Sequence, residues 1–299
     1  MQFGAIQLRL LAGLAAFAPG LLPVPAAARA AGPAVTPSCP STGIQKAKVA
    51  RIDDRLDLTL QDGRSLHLAG LDPVEPTPDA PDFPDHAKNA LAAKLAGGIS
   101  FLPLAAKPDR WGRIPAFVFI AQPAAAPGGL AAFLLARGFA RYMPVPEAHP
   151  CVAVFRSAEE KARKDRRGLW RDPYYAILTA TNRAAFADKA ATNVIVEGRL
   201  IAVTANHYRT SLAFTSKRGH GLLVTILRRN VARFERSGLH FHALIGQTLR
   251  VRGLLDLRFG PEIEISSADA IELVTDDVAE GNAVRQGGTN AAPPPVKAP

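Results

Sequence analysis

The sequence predicts a mainly β, α+β fold built from two successive units. In the first unit, apolar and polar residues alternate over 56–60, as they do in a strand with one buried face. Stretches with helical spacing follow at 85–98, 128–140 and 157–170. In the second unit, five β-like runs occupy 193–274, with one short helical stretch between the third and the fourth.

Residues 1–30 have the pattern of a signal peptide. Arg9 precedes a short apolar stretch, and the small residues at 28–30 are typical of a cleavage site. Glycine and proline interrupt the apolar stretch, which favours cleavage over an uncleaved membrane anchor. We therefore predict an exported protein, periplasmic or secreted, with no transmembrane segment in its mature form. Residues 31–43 are predicted to be a linker.

The chain contains two cysteines, Cys39 and Cys151. Export to an oxidising compartment permits a disulfide between them. The alternative is two unrelated thiols, because spacing alone does not prove a pairing.

The first unit is predicted to span 44–175. Asp-Gly in the turn "QDGRS" predicts a hairpin between strands at 56–60 and 65–71. A helix ending at Gly97-Gly98, two strands around the loop "KPDRWGR" and two further helices follow.

Residues 176–192 are predicted to connect this unit to the second one, which spans 193–274. Five strands with a helix between the third and fourth is the order of a Greek-key OB barrel, so we expect a five-stranded OB-like barrel here. Residues 275–299 contain too few apolar side chains to fold and are predicted to be disordered.

Three segments of the first unit resemble motifs of the thermonuclease (staphylococcal-nuclease-like) family, in the family's order. They are "LAGLDPVE" at 68–75, "DRWGR" at 109–113 and "AEEKARKDRRGLW" at 158–170. The resemblance covers about 44–175. It implies an OB-fold nuclease barrel and a calcium-assisted hydrolysis of phosphodiester bonds in DNA or RNA.

The resemblance also assigns roles to particular residues. Asp72 falls on a metal carboxylate, Glu75 on the glutamate that positions or activates water, and Arg113 on a phosphate-binding arginine. Such a site combines a hard cation on carboxylate oxygens with cationic groups on the phosphate, whose charge grows in the transition state.

At two positions the sequence departs from the family pattern. Leu56 stands where a second metal carboxylate belongs, and His67 where a second phosphate arginine belongs. Asp54 is the candidate to reach the ion through water, and a protonated His67 is the candidate phosphate donor. We expect calcium binding to be weak and hydrolysis to be weakened or lost. The alternative is a non-catalytic module that binds nucleic acid or an envelope protein.

A net charge of +10 suits a polyanionic partner, and nucleic acid is the partner that the resemblance implies. Arg110, Trp111 and Tyr142 are the predicted nucleic-acid contacts, with Trp111 either stacking on a base or packing against the protein. The second unit offers further basic residues for nucleic acid, and another polyanion, an oligosaccharide or a protein is an alternative ligand there. These basic residues are Arg199, Arg209, Lys217, Arg228, Arg229, Arg250, Arg252 and Arg258.

Overall fold

The computed structural model describes residues 39–40, 42–95, 97–120, 128–216 and 219–274. The predicted signal peptide and tail lie outside these ranges, as does most of the predicted linker. The described residues belong to one compact unit. None of the helices found among them is long and apolar enough to cross a membrane.

The first part of the chain contains a six-stranded sheet and a two-stranded one. Their strands, within the described ranges, are β1 (Gln45–Ala47), β2 (Val49–Ile52), β3 (Leu58–Leu60), β4 (Ser65–Leu68), β5 (Leu71–Pro73), β6 (Ile99–Pro103), β7 (Arg113–Phe119) and β8 (Ala140–Tyr142). The larger sheet has the order β1-β6-β7-β4-β3-β2, and β5 pairs with β8. Strands β1 and β2 are the two edge strands of this sheet, yet only Lys48 separates them in the sequence. The two edges must therefore lie close together. The sheet is therefore curled, which is consistent with an OB-like fold.

Adjacent residues in the sequence account for β3, β4 and the turn between them. Leu58 and Leu60 are buried while Thr59 between them is not, as period-two alternation predicts. The hairpin of β3 and β4 is confirmed, with Leu58 paired to Leu66. Gly63 adopts a φ of 87° in its turn, which is why glycine suits this position.

Three helices pack beside the curled sheet: α1 (Phe83–Ala92), α2 (Gly129–Arg137) and α3 (Val152–Lys164). Helix α3 begins five residues before the stretch predicted at 157–170. The prediction rested on the charged residues of that stretch and did not include the apolar side chain that holds the first turns of the helix in the core. This side chain is that of Phe155, which is completely buried and packs against Phe117 and Tyr142 at centroid distances of 6.1 and 5.9 Å.

Cys39 and Cys151 form a disulfide, with their Cα atoms 4.7 Å apart. Cys151 is completely buried and directly precedes α3. The bond therefore ties the first described residues of the chain to the start of that helix.

The second part of the chain contains a larger sheet. Its strands are β9 (Leu178–Thr179), β10 (Asn193–Arg199), β11 (Ala202–Ala205), β12 (Arg209–Ala213), β13 (Leu223–Leu227), β14 (Thr248–Asp256), β15 (Glu262–Glu264) and β16 (Ile271–Leu273). The order is β11-β12-β13-β15-β14-β10-β9, with β16 also paired to β14. Helix α4 (Arg228–Arg236) lies between β13 and β14 in the sequence, as predicted. The last predicted run is divided into β15 and β16, because Ser267 accepts the N–H of Asp269 and starts a short 3-10 helix.

A buried ion pair joins the two parts of the chain. Arg252 of β14 donates to Glu159 of α3 at 2.6 Å and to the backbone oxygen of Tyr142 at 3.1 Å. Nearby, Arg156 donates to the backbone oxygens of Asp269 and Ile271. These long-range bonds fix β14 and β16 against the helical layer of the first part.

We expect removal of the disulfide, as Cys39→Ala/Cys151→Ala, to lower the free energy of unfolding by about 2–4 kcal/mol, because the bond closes a long loop in the unfolded chain. The sequence separation of the two cysteines is 112 residues. Urea unfolding of the oxidised protein, the reduced protein and the variant measures this. The reduced protein serves as the control and should match the variant, whereas equal stability of all three samples would contradict the prediction.

Candidate functional site

The carboxylates that the sequence singled out lie around one open cleft of about 560 Å³. Asp54, Asp72 and Glu75 all line it, together with Arg55 and Asp85. The structure thus brings together the two predicted metal ligands and the predicted catalytic glutamate. His67 and Arg113 are not among the residues that line this cleft.

Both oxygens of the Asp72 carboxylate are already bound by protein groups. Arg141, its partner across the β5–β8 pair, donates to Oδ2 from Nη2 at 2.6 Å and from Nε at 3.1 Å. Asn193, the first residue of β10, donates to Oδ1 at 2.7 Å. Because the Asp72 side chain is only 16% exposed, these donors replace water as the partners of the charge. A cation at Asp72 would have to compete with these donors for the lone pairs of the carboxylate.

Glu75 is held through its backbone and leaves its side chain exposed. The hydroxyl of Tyr175 accepts the N–H of Glu75 at 2.7 Å and donates to its carbonyl oxygen at 3.0 Å. Burial raises the pKa of Tyr175 to about 12, so this hydroxyl stays neutral. Arg141 lies over the same ring, 5.0 Å from its centroid. One buried tyrosine therefore positions both Glu75 and the arginine that neutralises Asp72.

Asp54 is exposed and forms an ion pair with Lys88 of α1 at 2.7 Å. The hydrogen bond from Lys88 lowers the pKa of Asp54 below its ordinary value. The carboxylate predicted to complete the metal shell is thus paired with the ammonium group of Lys88.

Leu56 points into the core instead of the cleft. Its backbone is left-handed, with a φ of 61°, and its side chain is buried. Asp53 stabilises this turn, because its carboxylate accepts the N–H groups of Arg55 and Asp57. Among the described residues, no group of three or more histidine, cysteine, aspartate or glutamate residues is placed to hold a metal ion. The donor set does not fit calcium, which takes six to eight oxygen ligands.

A second cluster forms around Asp57, which is buried. Its Oδ1 lies 2.7 Å from Nδ1 of His67, and its Oδ2 accepts a hydrogen bond from Nη1 of Arg113 at 2.8 Å. In a regular strand over 56–60, Asp57 would face away from the side of Leu56. Strand alternation does not apply to Leu56 and Asp57, because both precede β3 and Leu56 has a left-handed backbone conformation.

Arg113 is held by two carboxylates. Its Nε and Nη2 donate to Asp109 at 3.0 and 2.9 Å, while Nη1 donates to Asp57. Burial alone would raise the pKa of Asp57, but the hydrogen bonds from His67 and Arg113 outweigh burial and lower it. The predicted phosphate arginine can therefore bind a phosphate only by sharing or exchanging these bonds.

Arg110 and Trp111 form the exposed part of the same loop. The Trp111 ring is 62% exposed, and its centroid lies 3.9 Å from the guanidinium carbon of Arg110 and 4.7 Å from that of Arg113. Asp109 fixes the loop by accepting the N–H of Trp111. This loop offers a cation and an aromatic ring to solvent.

Three of the predicted nucleic-acid contacts are not available at the surface. Tyr142 is completely buried against Phe155, and Arg250 and Arg252 are buried in ion pairs with Glu197, Glu272 and Glu159. The sequence could not show this, because the residues that cover these side chains are distant in the chain. Predicted Lys217 lies outside the described residues.

Sequence reasoning missed the roles of Arg141 and Asn193 and did not foresee the part played by Asp57. The sequence contained one indication of Arg141, because the strand with Asp72 needs a pairing partner and Arg141 lies in the strand that pairs with it. It contained no indication of Asn193, since that residue lies 121 residues from Asp72.

A comparison with known protein families finds a match. Residues 65–172 match the family described as staphylococcal nuclease homologue, a span that includes Asp72, Glu75 and Arg113 but neither Leu56 nor Asn193. No curated protein matches the chain. The matched stretch is a thermonuclease-like domain.

We expect Asp57→Asn to lower the free energy of unfolding at pH 7 by roughly 1–3 kcal/mol, because Arg113 and His67 lose a charged acceptor. The pKa of Asp57 is lowered from 3.8 in the folded protein, so the stability due to its charge is complete above that value and is lost as the pH falls through the folded pKa. The difference from the wild type should therefore narrow below about pH 4.

Urea unfolding between pH 7 and pH 3 measures this difference. Asp62→Asn is the matched control, because Asp62 also pairs with an arginine but is exposed, so little change is expected. A deficit of Asp57→Asn that is the same at every pH would contradict the assignment to charge.

Proposed function

We propose that this is an exported nucleic-acid-binding protein whose thermonuclease-like domain has lost calcium-assisted hydrolysis. The observation that carries the proposal is the state of Asp72, whose two carboxylate oxygens are bound by Arg141 and Asn193. A metal ion at Asp72 would compete with these donors and would stand close to the positively charged guanidinium of Arg141, which opposes its binding.

The surrounding residues support the loss of hydrolysis. Leu56 provides no oxygen, Asp54 is paired with Lys88, and Arg113 is shared between two carboxylates. Removing a single group that stabilises the transition state typically slows a reaction by a hundredfold or more. Several such losses in one site leave Glu75 without the groups that would activate a phosphodiester.

The exposed loop of Arg110 and Trp111 supports the retention of binding. An arginine beside an exposed aromatic ring can contact a phosphate and stack on a base without regard to sequence. The net charge of +10 favours such a polyanion.

The remaining features are consistent with export and with a second barrel. The signal-like residues 1–30 and the disulfide fit an oxidising compartment. In the second sheet, β10 and β11 together act as the first strand, giving the order 1-2-3-5-4-1 of an OB-like barrel.

Residual hydrolysis is the second candidate function. It is favoured by the exposed Glu75 side chain in the cleft and by His67, whose ring is 27% exposed and uses only Nδ1 on Asp57. In that case Glu75 would act as the base, at a low rate.

The purified mature protein should bind a labelled single-stranded DNA without cutting it, equally in calcium and in chelator. Fluorescence anisotropy measures binding and gel electrophoresis measures cleavage. Arg110→Ala/Trp111→Ala should weaken binding about tenfold through lost stacking and charge. Arg51→Ala, the change of an exposed arginine elsewhere in the domain, is the control.

Calcium-dependent cleavage that Glu75→Gln abolishes would establish the second candidate instead. A folded protein that neither binds nor cuts DNA or RNA would overturn both.

A further inference from the structure

The arginines of the second sheet and its helix fall into two groups. Four on or beside the strands are bound by carboxylates: Arg209 by Glu262, Arg250 by Glu197, Arg252 by Glu159 and Arg258 by Asp256. Arg199, at the end of β10, is exposed and has no carboxylate partner in the described part of the chain. The arginines of α4 have no carboxylate partner within the part of the chain that the structure describes. They are Arg228, Arg229, Arg233 and Arg236, and all four are exposed.

Three of these arginines share one face of the helix. Arg229, Arg233 and Arg236 are spaced at i, i+4 and i+7, which places them in a row roughly 10 Å long. The buried Phe234 anchors the helix by packing against Phe241 at a centroid distance of 5.4 Å. Like charges at these spacings repel one another and destabilise the helix. A bound polyanion would reduce this repulsion.

An exposed aromatic ring lies at the start of this row. Tyr208 is 80% exposed, and its carbonyl oxygen accepts the N–H of Arg228 at 2.8 Å. Asn206 fixes the loop, because its side-chain oxygen accepts the N–H groups of Tyr208 and Arg209, each at 2.9 Å. The ring is therefore presented to solvent by a constrained turn next to the first helical arginine.

We infer that Tyr208, Arg228, Arg229, Arg233 and Arg236, which we call the α4 surface, form a second binding site for single-stranded nucleic acid. The arginine row contacts successive phosphates, and Tyr208 stacks on a base. A cationic track with an aromatic platform is the combination that binds single strands, because a duplex keeps its bases stacked inside. The inference rests on the proposed function for the class of ligand, but it places binding far along the chain from Arg110 and Trp111.

Nucleic acid fits this surface better than an anionic membrane does. A helix that lies on a membrane inserts an exposed apolar face. The apolar side chains of α4 are used inside the protein, since Phe234 is buried and Val231 packs against the same core.

Binding of the full mature chain to a fluorescein-labelled oligothymidylate tests the inference. Arg229→Gln/Arg236→Gln should weaken binding about tenfold or more at low salt and reduce the slope of log K against log salt by about 1.4, or 0.7 for each phosphate contact. Tyr208→Ala should weaken binding about tenfold with little change of slope, because stacking releases no counterions. The charge-matched control Arg51→Gln/Arg137→Gln removes two exposed arginines elsewhere and should leave affinity nearly unchanged.

The outcomes separate this inference from the proposed function. If the wild type binds the oligonucleotide and the α4 variants bind it equally well with the same slope, the inference is wrong and the proposed function stands. If the wild type binds no nucleic acid, both are wrong. If the α4 variants lose only the binding to phosphatidylglycerol vesicles, the surface is a lipid site and the inference is overturned.

Discussion

The Asp72 carboxylate is the constraint on which the account depends. It lies where β5 pairs with β8 and is bound by Asn193, the first residue of β10 in the second sheet. A buried carboxylate must be paired and hydrogen-bonded to be tolerated. The chain meets this need with Arg141 and Asn193, so the bonds that satisfy the charge also link the two parts of the fold. The same bonds occupy a carboxylate that lines the cleft, so the proposed loss of calcium binding and the link between the two parts of the fold would share one physical cause.

The chain uses its many arginines in two ways. Arg252 and Arg250 are buried with Glu159, Glu197 and Glu272, where they hold strands and helices together. Truncating one member of such a buried pair would leave the other charge unpaired. The positive charge that can act on a partner therefore comes from fewer residues than the net charge suggests. The loop of Arg110 and the exposed face of α4 are two places in the described residues where such charge lies beside an exposed aromatic ring.

Local features of the sequence predicted most of the elements. The turn at Gly63 and the alternation of Leu58 and Leu60 are properties of adjacent residues, and so are the five runs of the second sheet. Asp72 and Glu75, to which the resemblance to thermonucleases assigns roles in one site, line the same cleft. What failed depends on packing between distant segments: the burial of Tyr142 and the bond between Arg252 and Glu159, 93 residues apart. The strand predicted at 56–60 begins only at Leu58 for a local reason, because Leu56 has a left-handed backbone and Asp57 beside it is also buried.

Thermal unfolding of the mature protein in saturating calcium and in chelator tests the central claim most directly, because it reports binding whether or not catalysis occurs. A ligand at a hundredfold excess over its Kd adds about 2.7 kcal/mol to stability. With Asp72 occupied by Arg141 and Asn193, the account predicts the same Tm in both conditions, within experimental error. A Tm several degrees higher in calcium, lost in Asp72→Asn, would show that Asp72 binds the cation despite these donors and would contradict the account.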